Sequence, residues 1–281
     1  MYKILKKVDY SDDVYMQVIE APAVARAAQA GQFVILRINE EGERIPLTIA
    51  DFDRDKGTIT IVVQAVGKTT RQLQMMNAGD SLVNFIGPLG IPSDIENYGT
   101  VVCAGGGVGV APIYPIAREL KKAGNKVISI VAARTRHLLL WEDKMKEVSD
   151  EVIVTTDDGI YGRKCLVTEP LKELCDTGKV DLIYAIGPGI MMKFCCKTTE
   201  AYGIKTLVSL NSIMVDGTGM CGACRVSVGG ETKFVCVDGP EFDGNQVDFD
   251  ELMARQRQYL EQEKISNDLY LECRGDAQCL M

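Results

Sequence analysis

Residues 97–210 alternate short apolar runs with helical stretches, and no other feature limits the fold as strongly. The apolar runs are Thr100–Ala104, Val127–Ala132, Val152–Thr155, Leu182–Ile186 and Lys205–Leu210. Between them lie Ala111–Ala123, Trp141–Val148, Val167–Leu174 and Ile190–Ala201. Parallel neighbours need a crossover, and a helix supplies it. The alternation therefore predicts a parallel sheet covered by helices on both faces. Ligands of such sheets sit beyond the carboxyl ends of the strands.

The flanking segments have other rhythms. Residues 1–96 carry β-rich runs at Val14–Ile19, Phe33–Ile38, Thr58–Val66 and Ser81–Phe85, punctuated by Gly, Asp and Asn. Short strands with regular turn signals predict a small antiparallel β-barrel. Residues 211–281 hold a Cys-rich loop and an acidic tail, with a solvated helix expected over Glu251–Lys264. The expected class is β + α/β in three units, 1–96, 97–210 and 211–281.

The Cys-rich loop reads Asp216-x4-Cys221-x2-Cys224-x11-Cys236. A plant-type iron–sulfur loop has C-x4-C-x2-C and a distant fourth Cys. Here a carboxylate stands in the first position. Glycines let the backbone wrap tightly and aim N–H groups at bridging sulfides. The pattern points to a 2Fe–2S centre held by Asp216, Cys221, Cys224 and Cys236. Structural zinc also takes three Cys and a fourth ligand, usually from two short knuckles. Asp before Gly is also a common turn residue, so Asp216 has a plain turn role open to it.

Composition excludes several alternatives. His137 is the single histidine, which removes Rieske centres and poly-His zinc catalysis. A net charge of −8 disfavours nucleic acid and anionic membrane surfaces. No run approaches the ~20 apolar residues of a membrane span, and the first residues lack a signal-peptide core. A cytoplasmic location is expected. Cys103, Cys165, Cys175, Cys195 and Cys196 read as small buried apolar groups, and Cys273 and Cys279 as free thiols.

Three loops mark one rim of the parallel sheet. Gly105-Gly106-Gly107-Val108-Gly109-Val110-Ala111-Pro112 follows the first strand and opens a helix, where a pyrophosphate fits the helix N-terminus. Gly187-Pro188-Gly189 and Thr156-Asp157-Asp158-Gly159 end two further strands. In the β segment, Val66-Gly67-Lys68-Thr69-Thr70-Arg71 combines a permissive Gly with hydroxyls and cations, a set suited to phosphate and equally to a polar hairpin end.

Taken together, Gly31-Gln32-Phe33, Pro46-Leu47-Thr48 and Gly87-Pro88-Leu89-Gly90 resemble the flavin domain of the ferredoxin–NADP+ reductase superfamily. Gly105–Pro112 and Gly187-Pro188-Gly189 resemble its nicotinamide-nucleotide domain. The appended Cys loop is similar to that of dihydroorotate dehydrogenase B electron-transfer subunits and their relatives. Asp with three Cys, Ala133-Arg134-Thr135 and Cys236–Gly244 resemble the small subunits of NADH-dependent reduced ferredoxin:NADP+ oxidoreductases, also described as sulfide dehydrogenase subunits. The resemblance covers nearly the whole chain.

The resemblance implies an FAD-binding barrel, an NAD(P)-binding α/β domain and a small C-terminal 2Fe–2S domain. Ile45, Pro46, Leu47 and Thr48 would lie along the flavin, with Val62, Val63 and Gln64 beside the ribityl or adenosine side. Gly67, Thr69 and Thr70 would meet the FAD pyrophosphate. Gly105, Gly106, Gly107, Gly109, Ala111, Pro112, Asp158, Gly187 and Pro188 would line the NAD(H) site. Superfamily members often place Arg three residues before the flavin Ser/Thr; here that residue is Ile45, and Arg44 is displaced by one.

The implied activity is electron transfer. Hydride would be exchanged with NAD(H), rather than NADP(H), at FAD, and single electrons would pass through the cluster. No side-chain nucleophile is required. The implied partner is a large flavin and 4Fe–4S subunit in a heterodimer, with ferredoxin served indirectly through electron bifurcation. Alternatives are the electron-transfer subunit of an NAD-dependent dihydroorotate dehydrogenase, a stand-alone NAD(P)H reductase and a zinc-stabilised interaction module. Arg134 and Arg136, after the second parallel strand, would suit a 2′-phosphate.

Overall fold

The computed structural model describes residues 1–273. Cys279 lies outside the described residues, and Cys273 closes the last helix, Leu260–Cys273. The first segment forms two antiparallel sheets. One has five strands: Asp51–Asp53, Thr58–Gln64, Val14–Glu20, Tyr2–Asp9 and Ser81–Leu82 in spatial order. The other has Ile45–Thr48, Phe33–Arg37 and Asn84–Leu89. Their inward side chains share one core containing Ile4, Tyr15, Ile19, Val34, Leu36, Ile59, Ile61, Val63 and Phe85. The run expected over Ser81–Phe85 is split in two, because the Val83 N–H turns to the Arg37 and Ile38 carbonyls.

The second segment is a parallel sheet, as expected, with the short edge strand Arg163–Lys164 added to the five runs foreseen. Strands Arg163–Lys164, Glu151–Thr156, Lys126–Ala133, Thr100–Gly106, Leu182–Ile186 and Thr206–Ser209 run parallel in that spatial order. Helix Val110–Lys122 packs against the barrel. Its Val110, Ala111, Ile113 and Tyr114 join Met16, Ala30 and Ala50 in one buried cluster.

A seventh strand was not foreseen. Glu241–Asp243 adds antiparallel to Thr206–Ser209, with Glu241 opposite Ser209. It brings the chain back to the nucleotide sheet after the Cys loop and the hairpin Arg225–Val228/Glu231–Phe234. The tail departs from the single solvated helix expected. Helix Phe249–Gln256 buries Phe249 and Leu252, and only after a turn does Leu260–Cys273 begin. Paired apolar residues outweigh the polar composition of that stretch. Among the described residues no helix is long and apolar enough to cross a membrane.

Candidate functional site

Flavin side. Ile45, Pro46, Leu47 and Thr48 form a strand paired with Phe33–Leu36, each of the four half-buried. Arg44 is exposed just before it. Val62 and Val63 point to opposite faces, as strand neighbours must. Val63 sits in the barrel core and Val62 in the cluster shared with the nucleotide helix. Any cofactor contact there falls to their backbone. Exposed Gln64 donates to Asp13 at 2.9 Å.

The expected phosphate loop is mostly helix, Lys68–Met75, with Gly67 as N-cap. The Thr70 hydroxyl accepts the Val66 and Gly67 N–H groups, both at 3.0 Å, and so builds the first turn. The Thr69 hydroxyl donates to Glu43 at 2.6 Å. Arg71 donates to Asn267 at 3.0 Å, which seats the last helix on this one. The hydroxyls thus shape the loop and leave the helix N-terminus as the group in it that suits an anion. Glu43 and Asn267 carried no sequence signal.

Nucleotide side. The two glycine turns meet. A Cβ on Gly109 would lie 2.3 Å from the Ile186 carbonyl oxygen, and one on Gly106 2.3 Å from Met191 Sδ. Met191 also packs against Gly187, so it fills the seam between the turns. Gly105 backs onto Val110, and Gly107, at φ +56°, faces open space. Ala111 is buried in the first helical turn, Pro112 half-buried and Pro188 exposed. Asp158 stands farther along the rim, with its carboxylate accepting the Ile160 N–H at 3.0 Å. Arg136 stacks on Tyr161, 4.9 Å from the ring centre, and both Arg136 and Arg134 are exposed.

Cluster loop. Asp216 closes the loop on itself. Its carboxylate accepts the N–H of Thr218 at 3.0 Å, of Met220 at 3.1 Å and of Cys221 at 3.0 Å. Those bonds, the Thr218 N–H first, hold the carboxyl below its usual range. Cys224 and Cys236 are buried with their sulfurs 3.3 Å apart, and Cys221 is exposed. Burial, then the Cys224 contact, pushes the Cys236 thiol up to about 12. Among the described residues no three His, Cys, Asp or Glu side chains converge on one metal point. A two-iron cluster takes its protein ligands in pairs, one pair per iron. Buried paired thiols in a glycine-wrapped loop fit that group.

The loop rests on the flavin side. Gly217, at φ +75°, lies so close to the barrel that its Cβ would meet Ile35 Cδ1 at 2.6 Å and Leu89 Cδ1 at 2.9 Å. Ile35 is the register partner of Pro46. Glu241, also unforeseen, has a buried carboxyl that accepts the Ser93 hydroxyl at 2.6 Å. Burial pushes it up to about 7. Of two surface clefts of about 450 and 480 Å3, the one around Phe52 contains none of the expected site residues, and the one around Trp141 contains only Arg136.

Comparison with known proteins agrees with this layout. The iron–sulfur cluster binding domain of dihydroorotate dehydrogenase B matches residues 211–248, and the oxidoreductase NAD-binding domain matches 103–197. A dihydroorotate dehydrogenase B (NAD+) electron transfer subunit homolog of Thermotoga maritima is 51% identical over 98% of both chains. The corresponding subunit of Desulforamulus reducens is 33% identical over 87% of this chain and 96% of its own. A solved structure of an NADH-dependent reduced ferredoxin–NADP oxidoreductase, described for flavin-based electron bifurcation, shares 51% identity. It superposes with a TM-score of 0.92, covering 96% of this chain and 98% of that one. By fold, site and relatedness, the chain belongs to the family of dihydroorotate dehydrogenase B electron transfer subunits and their homologues.

Proposed function

We propose that this chain is the flavin and iron–sulfur subunit of an NADH-dependent reduced ferredoxin:NADP+ oxidoreductase. It exchanges hydride with NAD(H) and passes single electrons to or from a larger flavin and 4Fe–4S subunit. When bound, FAD would accept or give one hydride, that is, two electrons with a proton, and release the electrons singly, and the 2Fe–2S cluster would carry one at a time. Ile45–Thr48 and the N-terminus of helix Lys68–Met75 hold FAD. The turns at Gly105–Gly109 and Gly187-Pro188 hold NAD(H), with Met191 between them. Cys221, Cys224, Cys236 and Asp216 hold the cluster.

One observation carries the reading. Ile35 pairs with Pro46 on the flavin strand and packs its side chain on Gly217 of the cluster loop. The two cofactor segments are therefore separated by a single strand, the closeness that electron passage requires. Ligation by Asp216 requires it to give up loop N–H bonds, which the cluster sulfides can take over.

The test is direct. The purified protein should contain FAD, iron and acid-labile sulfide, and NADH should bleach the flavin band and raise an EPR signal. A preparation with flavin but no iron, or with zinc in place of iron, would sink the proposal. NADH should bind more tightly than NADPH; the reverse order by titration contradicts the NAD(H) assignment.

The match of residues 211–248 to the dihydroorotate dehydrogenase B domain favours a second reading, electron transfer for dihydroorotate oxidation. Asp216 in place of a fourth Cys argues for the first. Copurification separates them: a large flavin and 4Fe–4S subunit supports the first, and a dihydroorotate dehydrogenase supports the second.

A further inference from the structure

Helix Phe249–Gln256 touches both the cluster loop and helix Gly189–Glu200. Asp248 caps it, accepting the Glu251 N–H at 2.9 Å. Glu251 accepts the Ser227 N–H of the cluster hairpin at 2.9 Å. Gln256 donates to the Asn211 carbonyl at 3.0 Å and to its side chain at 2.8 Å. Asp250 pairs with Lys193 at 2.6 Å, and Met253 covers Gly189 at the start of helix Gly189–Glu200. Phe249 and Leu252 are buried in the core beneath. These contacts leave the last turn little freedom.

That turn carries Arg255. Its half-buried guanidinium donates to the Ala223 carbonyl at 3.2 Å, inside the Cys221-Gly222-Ala223-Cys224 turn. Arg225 is exposed and donates to the neighbouring Gly222 carbonyl, also at 3.2 Å. Among the described residues neither guanidinium forms an ion pair with a carboxylate. A cation in a last helical turn ordinarily serves its own helix carbonyls. Arg255 instead reaches out of its helix to the loop.

We propose that Arg255 is a positioning residue that raises the reduction potential of the cluster. The proposal rests on the reading of Asp216, Cys221, Cys224 and Cys236 as a 2Fe–2S site. Reduction adds one electron and makes or breaks no bond, so it adds one negative charge beside the turn. A fixed guanidinium with no carboxylate paired to it among the described residues favours that reduced form, and partial burial keeps its field from being screened. Arg225 has the same bond but lies in solvent, where its field is weaker. Arg255 also fixes the Ala223 carbonyl, which orients the N–H groups of the turn.

The experiment is an EPR-monitored redox titration of the holoprotein, with iron and sulfide content measured alongside. Arg255→Gln keeps a donor for Ala223 and removes the charge; Arg255→Lys keeps the charge. In Arg255→Gln the oxidised-to-reduced ratio at the wild-type midpoint should rise roughly tenfold, about 59 mV for one electron. Arg255→Lys should hold the wild-type midpoint, and Arg225→Gln should shift it less than Arg255→Gln. An intact cluster with an unchanged midpoint in Arg255→Gln overturns the proposal. So does a shift in Arg255→Lys, which also decides the matter if Arg255→Gln sheds iron. Wild-type protein without iron or sulfide would instead overturn the cluster reading, and the tuning role with it.

Discussion

Arg118 donates to Asp51 at 2.6 Å across the joint between barrel and nucleotide domain. Asp51 lies three residues beyond Thr48, and Arg118 lies on the helix opened by the Gly105–Gly109 turn. Both side chains are mostly shielded, 19% and 23% exposed, so water does little to weaken the pair. The guanidinium also covers the Phe52 and Tyr114 rings at 5.1 and 5.5 Å. This contact sets how the nucleotide helix faces the flavin strand.

Asp51→Asn should therefore cost more in rate than in stability. Arg118 keeps Glu119 as a partner at 2.9 Å, which limits the loss to about 1–2 kcal/mol. Reduction of bound flavin by saturating NADH should slow about tenfold, since small misplacements are expensive in transfer reactions. Stopped-flow absorbance and a melting curve measure the two effects. An unchanged rate with a lower Tm would make the contact purely structural.

The glycines of the nucleotide turn should separate sharply. At Gly109 an added Cβ meets a backbone oxygen, which cannot swing aside. Gly109→Ala should lose about 3 kcal/mol or more, seen as a lower Tm or loss of folded protein. Gly107 has open space, so Gly107→Ala pays only the left-handed backbone strain, about 1–2 kcal/mol. That variant should fold and, on the proposed NAD(H) site, bind NADH weakly by titration, because its methyl would fill the open space at the turn.

Glu241 should make stability depend on pH. Ser93, Asp94, Tyr98, Cys103 and Tyr184 surround its carboxyl, and none of them is a cation. Its folded value, about 7, lies above the usual 4.5, so the folded chain holds this proton more tightly than the unfolded one. Stability then falls as pH rises from about 4.5 to 7, by about 3 kcal/mol in all. Glu241→Gln should flatten that decline and melt higher than wild type at pH 8. Parallel Tm curves for the two proteins would refute the assignment.

Changes at the four loop residues should differ in kind. Cys221→Ser, Cys224→Ser and Cys236→Ser should each lower iron and sulfide content severalfold. Asp216→Cys should keep the cluster and change its midpoint. Asp216→Ala removes the acceptor of three N–H groups, each bond being of order 1 kcal/mol, and should loosen the loop even without iron. Identical spectra and midpoints for Asp216→Cys and wild type would confine Asp216 to its turn role.

The parallel sheet was legible because its central strands are apolar runs separated by helices, as at Thr100–Gly106 and Val110–Lys122, whereas the edge strand Arg163–Lys164 has no apolar run to mark it. Leu182–Ile186 emerged with the bounds expected. Trp141 shows where pattern stops short: helix Glu142–Val148 begins one residue later than expected because Trp141 sits at φ 53°. Its indole N–H reaches Tyr10 at 2.8 Å, a partner far off in sequence. The Cys spacing announced the loop, yet Ile35 beneath Gly217 and Arg255 beside Ala223 were invisible. Those contacts depend on which strands and helices come together, and spacing along the chain does not encode that. Glu241 was missed for the same reason, since an acidic residue in an acidic tail carries no mark of burial.

Strand Glu241–Asp243 has a practical consequence for anyone cutting this chain into parts. A truncation after residue 210 would strip the outermost strand from the nucleotide sheet and bare the hydrogen-bonding edge of Thr206–Ser209. Bare edges recruit other strands, so such a fragment should aggregate. Residues 211–240 excised alone would lose the sheet they are moored to. A workable transplant of the redox loop into another reductase must carry its own return strand, or supply a foreign edge for it to dock on.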